Sequence, residues 1–278
     1  MSYITATTLE DALNTLAAGP ASVIAGGTDW FPAQADRQFR GTLLDISRLS
    51  ELRGITRTDN GWTIGAATTW TDIVNAELPA AFNGLKQAAR EVGSVQIQNV
   101  GTVAGNLCNA SPAADGVPPL LTLGAEVELA TARMTRRLPL GEFLLGVRRT
   151  DRAEDELVTA IHIPAISPNS RGSFLKLGAR KYLVISICMV AVLATVEQEK
   201  LSEIAIAIGA ASPVALRLTA LEDHLRNRPV TGMMRHVTPD MIAGLSPIAD
   251  IRASAEYRDA ASAEVIRRAL SLALEGNA

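Results

Sequence analysis

The chain has 278 residues, of which 47% are hydrophobic and 20% charged, and its formal net charge is −3. That balance excludes a disordered or fibrous protein and carries no basic footprint of a nucleic-acid binder. Two cysteines, Cys108 and Cys188, are too few for an iron–sulfur cluster, which takes about four thiolates, and they lack zinc-site spacing, so no metal site is expected.

Thr8 can cap a first helix, with Asp11 at the third position after it and Leu9, Ala12, Leu13 and Leu16 on one stripe. Gly19-Pro20 ends that helix. A short apolar strand at 22–25 then breaks at Gly26-Gly27, a helix or turn runs over 29–39, and a buried strand follows at 42–46. This is a βαβ-like opening. The opening residues have neither a basic start nor a long apolar run, so no signal peptide is expected.

A hairpin is expected around Asp59-Asn60-Gly61, with Ile55, Trp62, Ile64 and Ala66 as its apolar positions. Thr69 or Thr71 can cap the next helix, and 80–92 reads as another. From 93 to 119 the period breaks down into an irregular segment rich in Gly, Asn, Ser and Pro, and such segments are often functional. Strand character resumes at 126–130 and 157–163.

Residues 167–172 read as a linker. Strands are expected at 174–178, 187–196 and 204–208, with a turn at 197–202. Helices follow at 214–226, 239–245 and 257–274, the last with Ala261, Val265, Ala269, Leu272 and Ala273 on one face. The most apolar stretch, 182–196, is shorter than the roughly 20 residues that span a bilayer. No membrane span and a cytoplasmic location are therefore expected.

Two glycine-rich segments stand out as candidate ligand walls. In Val23-Ile24-Ala25-Gly26-Gly27-Thr28-Asp29-Trp30 a strand runs into paired glycines, and such a turn can aim successive N–H groups at an anion. On these residues alone, a tight turn without a ligand is the preferred reading. The second, Gly101-Thr102-Val103-Ala104-Gly105-Asn106-Leu107, continues to Asn109, Ser111 and Asp115. It matches neither GxGxxG nor the phosphate loop GxxxxGK[ST]. Its small polar groups suit ribose, phosphate or a heterocycle edge, and no histidine lies near Ser111 to make it a nucleophile. An irregular loop that satisfies its own backbone is the alternative.

Taken together, AGGTDW (25–30), TIGAATTWTDI (63–73), the run from 92 to 129, FLKLGARKYLVISICMVAV (174–192) and IRASAEYR (251–258) resemble one family. It is the flavoprotein, or medium, subunit of the xanthine dehydrogenase and carbon monoxide dehydrogenase group of molybdenum hydroxylases. The resemblance spans nearly the whole chain, in order. It implies an α+β fold: a two-part FAD-binding domain of the vanillyl-alcohol-oxidase type, over 1–52 and 53–168, and a smaller C-terminal α+β domain over 169–278. By matched position, Val23, Ile24, Ala25, Gly26, Gly27, Thr28, Asp29 and Trp30 would wrap the FAD pyrophosphate. Gly101, Thr102, Gly105 and Asn106 would form a second wall for phosphate and ribose, with Val92 and Ile97 among the binding residues. Ala114 and Asp115 would complete adenosine-side contacts, Leu157 and Val158 would line the cofactor, and Lys176 would approach the flavin.

The resemblance also implies partners. A large subunit would hold the molybdopterin cofactor, and a small subunit two [2Fe–2S] clusters, in a dimer of heterotrimers. Electrons would reach FAD on this chain and leave to NAD or another acceptor. The family often has acidic residues after the paired basic positions, where this chain reads Tyr182-Leu183-Val184. His162, His224 and His236 lie outside the matched segments, so flavin attachment through histidine has no support. Arg171 and Lys181 read as solvated, and Trp30 and Trp70 as packing residues. The alternative is a self-contained FAD oxidase or reductase of the same fold, which needs its own substrate pocket and a proton donor, and none is evident. A binding or assembly protein that has lost FAD is opposed by the intact glycine segments.

Overall fold

The computed structural model describes residues 1–35 and 38–275. A first unit holds three parallel strands, β1 (Ser2–Thr5), β2 (Ala21–Ile24) and β3 (Thr42–Asp45), in the order β1-β3-β2. Helix α1 (Leu9–Ala18) covers the sheet, and Thr8 caps it by accepting from Asp11 N–H at 3.1 Å. Ala12, Leu16 and Leu44 are its core. Strand β1, too short to show a pattern, is absent from the sequence reading. Of the helix or turn expected over 29–39, α2 (Trp30–Gln34) forms, and residues 36 and 37 lie outside the described residues.

The second unit is a five-stranded antiparallel sheet. Its strands β4 (Ile55–Thr58), β5 (Gly61–Gly65), β6 (Glu126–Ala130), β7 (Thr135–Pro139) and β10 (Leu157–Pro164) run in the order β4-β5-β10-β6-β7. The short pair β8 (Leu144–Gly146) and β9 (Arg149–Thr150) lies apart, after α8 (Leu140–Phe143). The hairpin at Asp59 forms as expected, and Thr69, not Thr71, caps α3 (Trp70–Asn75) through a reciprocal box with Asp72. Helix α4 (Asn83–Glu91) follows.

The segment from 93 to 119 is not irregular. It contains α5 (Val95–Val100), α6 (Val103–Asn109) and α7 (Val117–Thr122). Each spans at most two turns, too few for a 3.6-residue period to show. The starts of α5 and α6 nonetheless carry a local signal, since Ser94 and Thr102 accept from the backbone N–H three residues on, whereas α7 has no side-chain cap. Helices α6 and α7 pack over the sheet, where Leu107, Val117 and Leu120 join Ile64, Val127 and Ile161 in the largest core, while α5 buries no residue and lies against α3.

The third unit is an antiparallel sheet of β11 (Ser170–Leu177), β12 (Cys188–Glu197), β13 (Lys200–Gly209) and β14 (Leu216–Arg217). Strand β11 begins inside the expected linker. The helix expected over 214–226 shortens to α9 (Thr219–Leu225), because β14 pairs with β13 first. Residues 239–242 make only a 3₁₀ turn. Helix α10 (Ala255–Glu275) buries Val265, Ile266, Ala269, Leu270 and Ala273 on this sheet, whereas Leu272 of the expected face points outward. Units two and three meet where α4 lies along β11. There Ala88 packs with Phe174, Met189 and Ala191, and the Gln87 side chain accepts from Phe174 N–H at 2.6 Å.

Candidate functional site

The two glycine segments, 75 residues apart from Gly26 to Gly101, touch. A Cβ on Gly26 would overlap the Val100 carbonyl, so only glycine allows this approach. Thr28 lies beside Gly101, whose Cβ would stand 3.5 Å from the threonine Oγ1. Gly27 has φ +66°, a left-handed turn that also seats the Phe31 ring. Trp30 stacks edge-on with Phe31 and with Phe39, each at 5.1 Å between ring centres, which anchors the turn from behind.

That turn is rich in unpaired donors. Among the described residues, no acceptor bonds to the backbone N–H groups of Gly26, Gly27, Thr28 or Asp29. The outgoing carbonyls are used, Gly27 by Phe31 N–H and Asp29 by Ala33 N–H, both at 3.1 Å. Successive free N–H groups on a turn of this kind make an anion nest.

The second wall is held rigidly. Trp70 N–H donates to the Gly101 carbonyl at 3.1 Å and Val103 N–H to the Thr68 carbonyl at 2.9 Å. Trp70 is fully buried, confirming its packing role. Thr102 caps α6 through Gly105 N–H at 3.1 Å. One member of this wall is unsatisfied: Asn106 Oδ1 is buried with no hydrogen-bond partner. A buried, unpaired amide oxygen in an otherwise bonded wall points to a ligand donor.

Asp115 and Lys176, from units two and three, form a buried ion pair at 2.6 Å, with side chains 8% and 6% exposed. Lys176 Nζ also reaches the Glu91 carbonyl at the end of α4, at 3.4 Å. That leaves one of its three ammonium protons without a partner among the described residues. Asp115 also accepts from Ser186 Oγ at 2.7 Å. Burial pushes the Asp115 carboxyl above its ordinary range, and the Lys176 charge opposes this.

The other expected site residues lie in or near cores. Leu157 joins the first unit's core and Val158 and Ala114 the largest one. Val92 packs against the largest core, and the Ile97 side chain crowds Gly93. Ser186, Arg252 and Arg258 were not singled out in the sequence, although all three lie in quoted segments, 174–192 and 251–258. His162 bonds Thr63 and Glu128, while His224 and His236 face each other at 5.5 Å. Cys108 is exposed; Cys188 is buried, which pushes its thiol up to about 11. Among the described residues, no group of three or more His, Cys, Asp and Glu is placed to hold a metal ion, and no helix is long and apolar enough to cross a membrane.

Residues 1–166 match the family described as the FAD binding domain in molybdopterin dehydrogenase. Residues 173–273 match the CO dehydrogenase flavoprotein C-terminal domain. The chain is 32% identical over 263 residues to the xanthine dehydrogenase FAD-binding subunit of Escherichia coli O157:H7, covering 92% of this chain and 90% of that one. It is 28% identical to the carbon monoxide dehydrogenase medium chain of Hydrogenophaga pseudoflava, covering 91% and 89%. The structure is similar to a solved carbon monoxide dehydrogenase from that organism, lacking the Mo-pyranopterin moiety, with a TM-score of 0.91, 27% identity and coverage of 99% and 97%.

Proposed function

The chain belongs to the family of FAD-binding chains of molybdopterin dehydrogenases, and on that premise we propose that it is the FAD-carrying electron-transfer subunit of a molybdenum-dependent hydroxylase or dehydrogenase. One observation carries the reading: the unpaired N–H groups from Gly26 to Asp29, packed against the Gly101 wall that holds the orphaned Asn106 oxygen. A dinucleotide has a phosphate for the nest and hydroxyl donors for the amide. Bound FAD supplies the electron transfer, accepting electrons singly and passing them on singly or in pairs.

In this reading residues 23–30 hold the pyrophosphate by backbone dipoles, since no lysine or arginine lies among them. Gly101, Thr102, Gly105 and Asn106 hold phosphate and ribose. The adenosine-side role expected for Asp115 is revised. It contacts Lys176, so both serve one end of an extended cofactor, and the flavin end is the one that a lysine cation suits. Leu157 and Val158 act as packing behind the cofactor rather than as its polar contacts.

Electrons come from two [2Fe–2S] clusters on a small partner and, before them, from a molybdopterin-bearing large partner. They leave to NAD or another acceptor, in a cytoplasmic dimer of heterotrimers. Two cysteines in this chain support borrowed clusters.

The test is to purify the chain alone and with its partners. Flavin at one per chain, co-purification with iron–sulfur and molybdenum chains, and no turnover by the isolated chain are expected. Turnover of a small substrate by the chain alone supports the self-contained oxidase or reductase instead. A colourless chain that takes up no FAD overturns both.

A further inference from the structure

Between Leu177 and Cys188 the chain leaves the third sheet and returns to it. One backbone bond closes the base of that excursion, from Ile187 N–H to the Leu177 carbonyl at 2.8 Å. Beside it sits the Asp115 carboxylate, which gives one oxygen to each side. Oδ2 accepts from Lys176 Nζ at 2.6 Å and Oδ1 from Ser186 Oγ at 2.7 Å. Rotation of the carboxylate would lose one donor or the other.

Ser186 is fully buried and held from behind. Arg252 Nη1 donates to its carbonyl at 3.3 Å. Arg258, also fully buried, donates to the carbonyls of Ile187 and Ala210. Asp250 gathers both guanidiniums, at 2.9 Å from Arg252 Nε and 2.8 Å from Arg258 Nη2. A continuous set of contacts therefore runs from the start of α10 to the Lys176 ammonium.

Resting on the flavin reading above, we propose that Ser186 is a positioning residue: fixed by Arg252 and Arg258, it orients the Asp115 carboxylate and so sets where the Lys176 ammonium meets the flavin. Burial already favours the neutral acid at Asp115. Loss of the Ser186 donor leaves a buried carboxylate oxygen unpaired, which favours the neutral acid further. A neutral Asp115 no longer fixes the ammonium by charge, and the cation beside the flavin becomes mobile.

The test uses the full chain loaded with FAD, as Ser186→Ala, Ser186→Thr and Lys176→Met beside the unaltered protein. The flavin midpoint potential is read across pH 5 to 8, with the FAD dissociation constant. Lys176→Met is expected to lower the potential at every pH, because a cation favours the reduced, more negative flavin. Ser186→Ala is expected to raise it in a pH-dependent way, because a neutral Asp115 no longer cancels the Lys176 charge, and to weaken FAD about tenfold, and Ser186→Thr, which keeps the hydroxyl, to restore both. A Ser186→Ala protein with the unaltered potential and pH profile overturns the proposal, as does a Lys176→Met protein with no change in potential. If Ser186→Ala does not fold, Arg252→Gln takes its place: a shift of the same sign is expected, and no shift overturns the proposal. Failure of the flavin reading itself is distinct, because then the unaltered chain takes up no FAD.

Discussion

The turn from Gly26 to Asp29 and the pair of Asp115 with Lys176 are built on opposite terms. The turn contains no lysine or arginine, and its N–H donors have no acceptor among the described residues. The pair sets an acid against a base, is almost sealed from water, and is partnered on both carboxylate oxygens. An unpaired N–H costs little while water reaches it, so the turn can be kept open for a ligand. A lone buried charge costs a great deal, so the pair must be complete before any ligand arrives. Damage to the pair should therefore act on the fold, and damage to the turn and its wall on ligand capture.

The largest test of this contrast is Lys176→Met. It leaves Asp115 buried without its counter-charge, and a loss of about 3–5 kcal/mol of stability is expected with or without FAD. Denaturant unfolding of the flavin-free protein measures it, and a loss under about 1 kcal/mol would show that water reaches the pair. Next is Gly26→Ala, whose methyl overlaps the Val100 carbonyl. Separating the walls should cost about 1–3 kcal/mol and remove most of the bound flavin, read as flavin per chain. Retention of flavin there would break the contrast from the other side.

Asn106→Ala is the sharper case. Its oxygen has no partner to lose, so flavin-free stability should stay within about 0.5 kcal/mol, while calorimetric titration should show FAD bound about 5- to 10-fold more weakly. The smallest effect is on pH. Glu156 is held below the usual carboxylate range chiefly by Arg136, which bonds it at 2.6 Å. Its contribution is full above the ordinary carboxylate pKa of the unfolded chain and is lost as pH falls through the lowered folded value. Asp115 is raised and runs the other way, subtracting stability as pH climbs from the unfolded to the folded value. Acid unfolding of Glu156→Gln should therefore show a shallower low-pH slope than the unaltered protein.

Local chemistry made some of this legible. The Thr8–Asp11 cap, the Asp59-Asn60-Gly61 hairpin and α10 follow from neighbours within a few residues. The glycine segments were visible as candidate ligand walls, but their contact was not, because nothing local joins Gly26 to Val100. Ser186 lies in the quoted run 174–192, but its role was not legible for the same reason: its partner Asp115 is 71 residues away. Leu272 shows the converse error, a periodic residue that lies outside the buried face of α10 formed by Val265, Ile266, Ala269, Leu270 and Ala273. At 216–217, pairing to β13 overrode helix propensity, a tertiary effect that propensity cannot foresee.

The lodging of α4 on β11 also bears on how the protein is made. Gln87 and its bonding partner Phe174 are 87 residues apart. A ribosome adding about 5–20 residues per second needs about 4–17 s to bridge that gap. For that interval the apolar side of α4 around Ala88 has been synthesised and its cover has not. The nascent chain thus presents a sticky helix at the ribosome, and the speed of translation through the intervening 80-odd codons sets how long a chaperone must shield it.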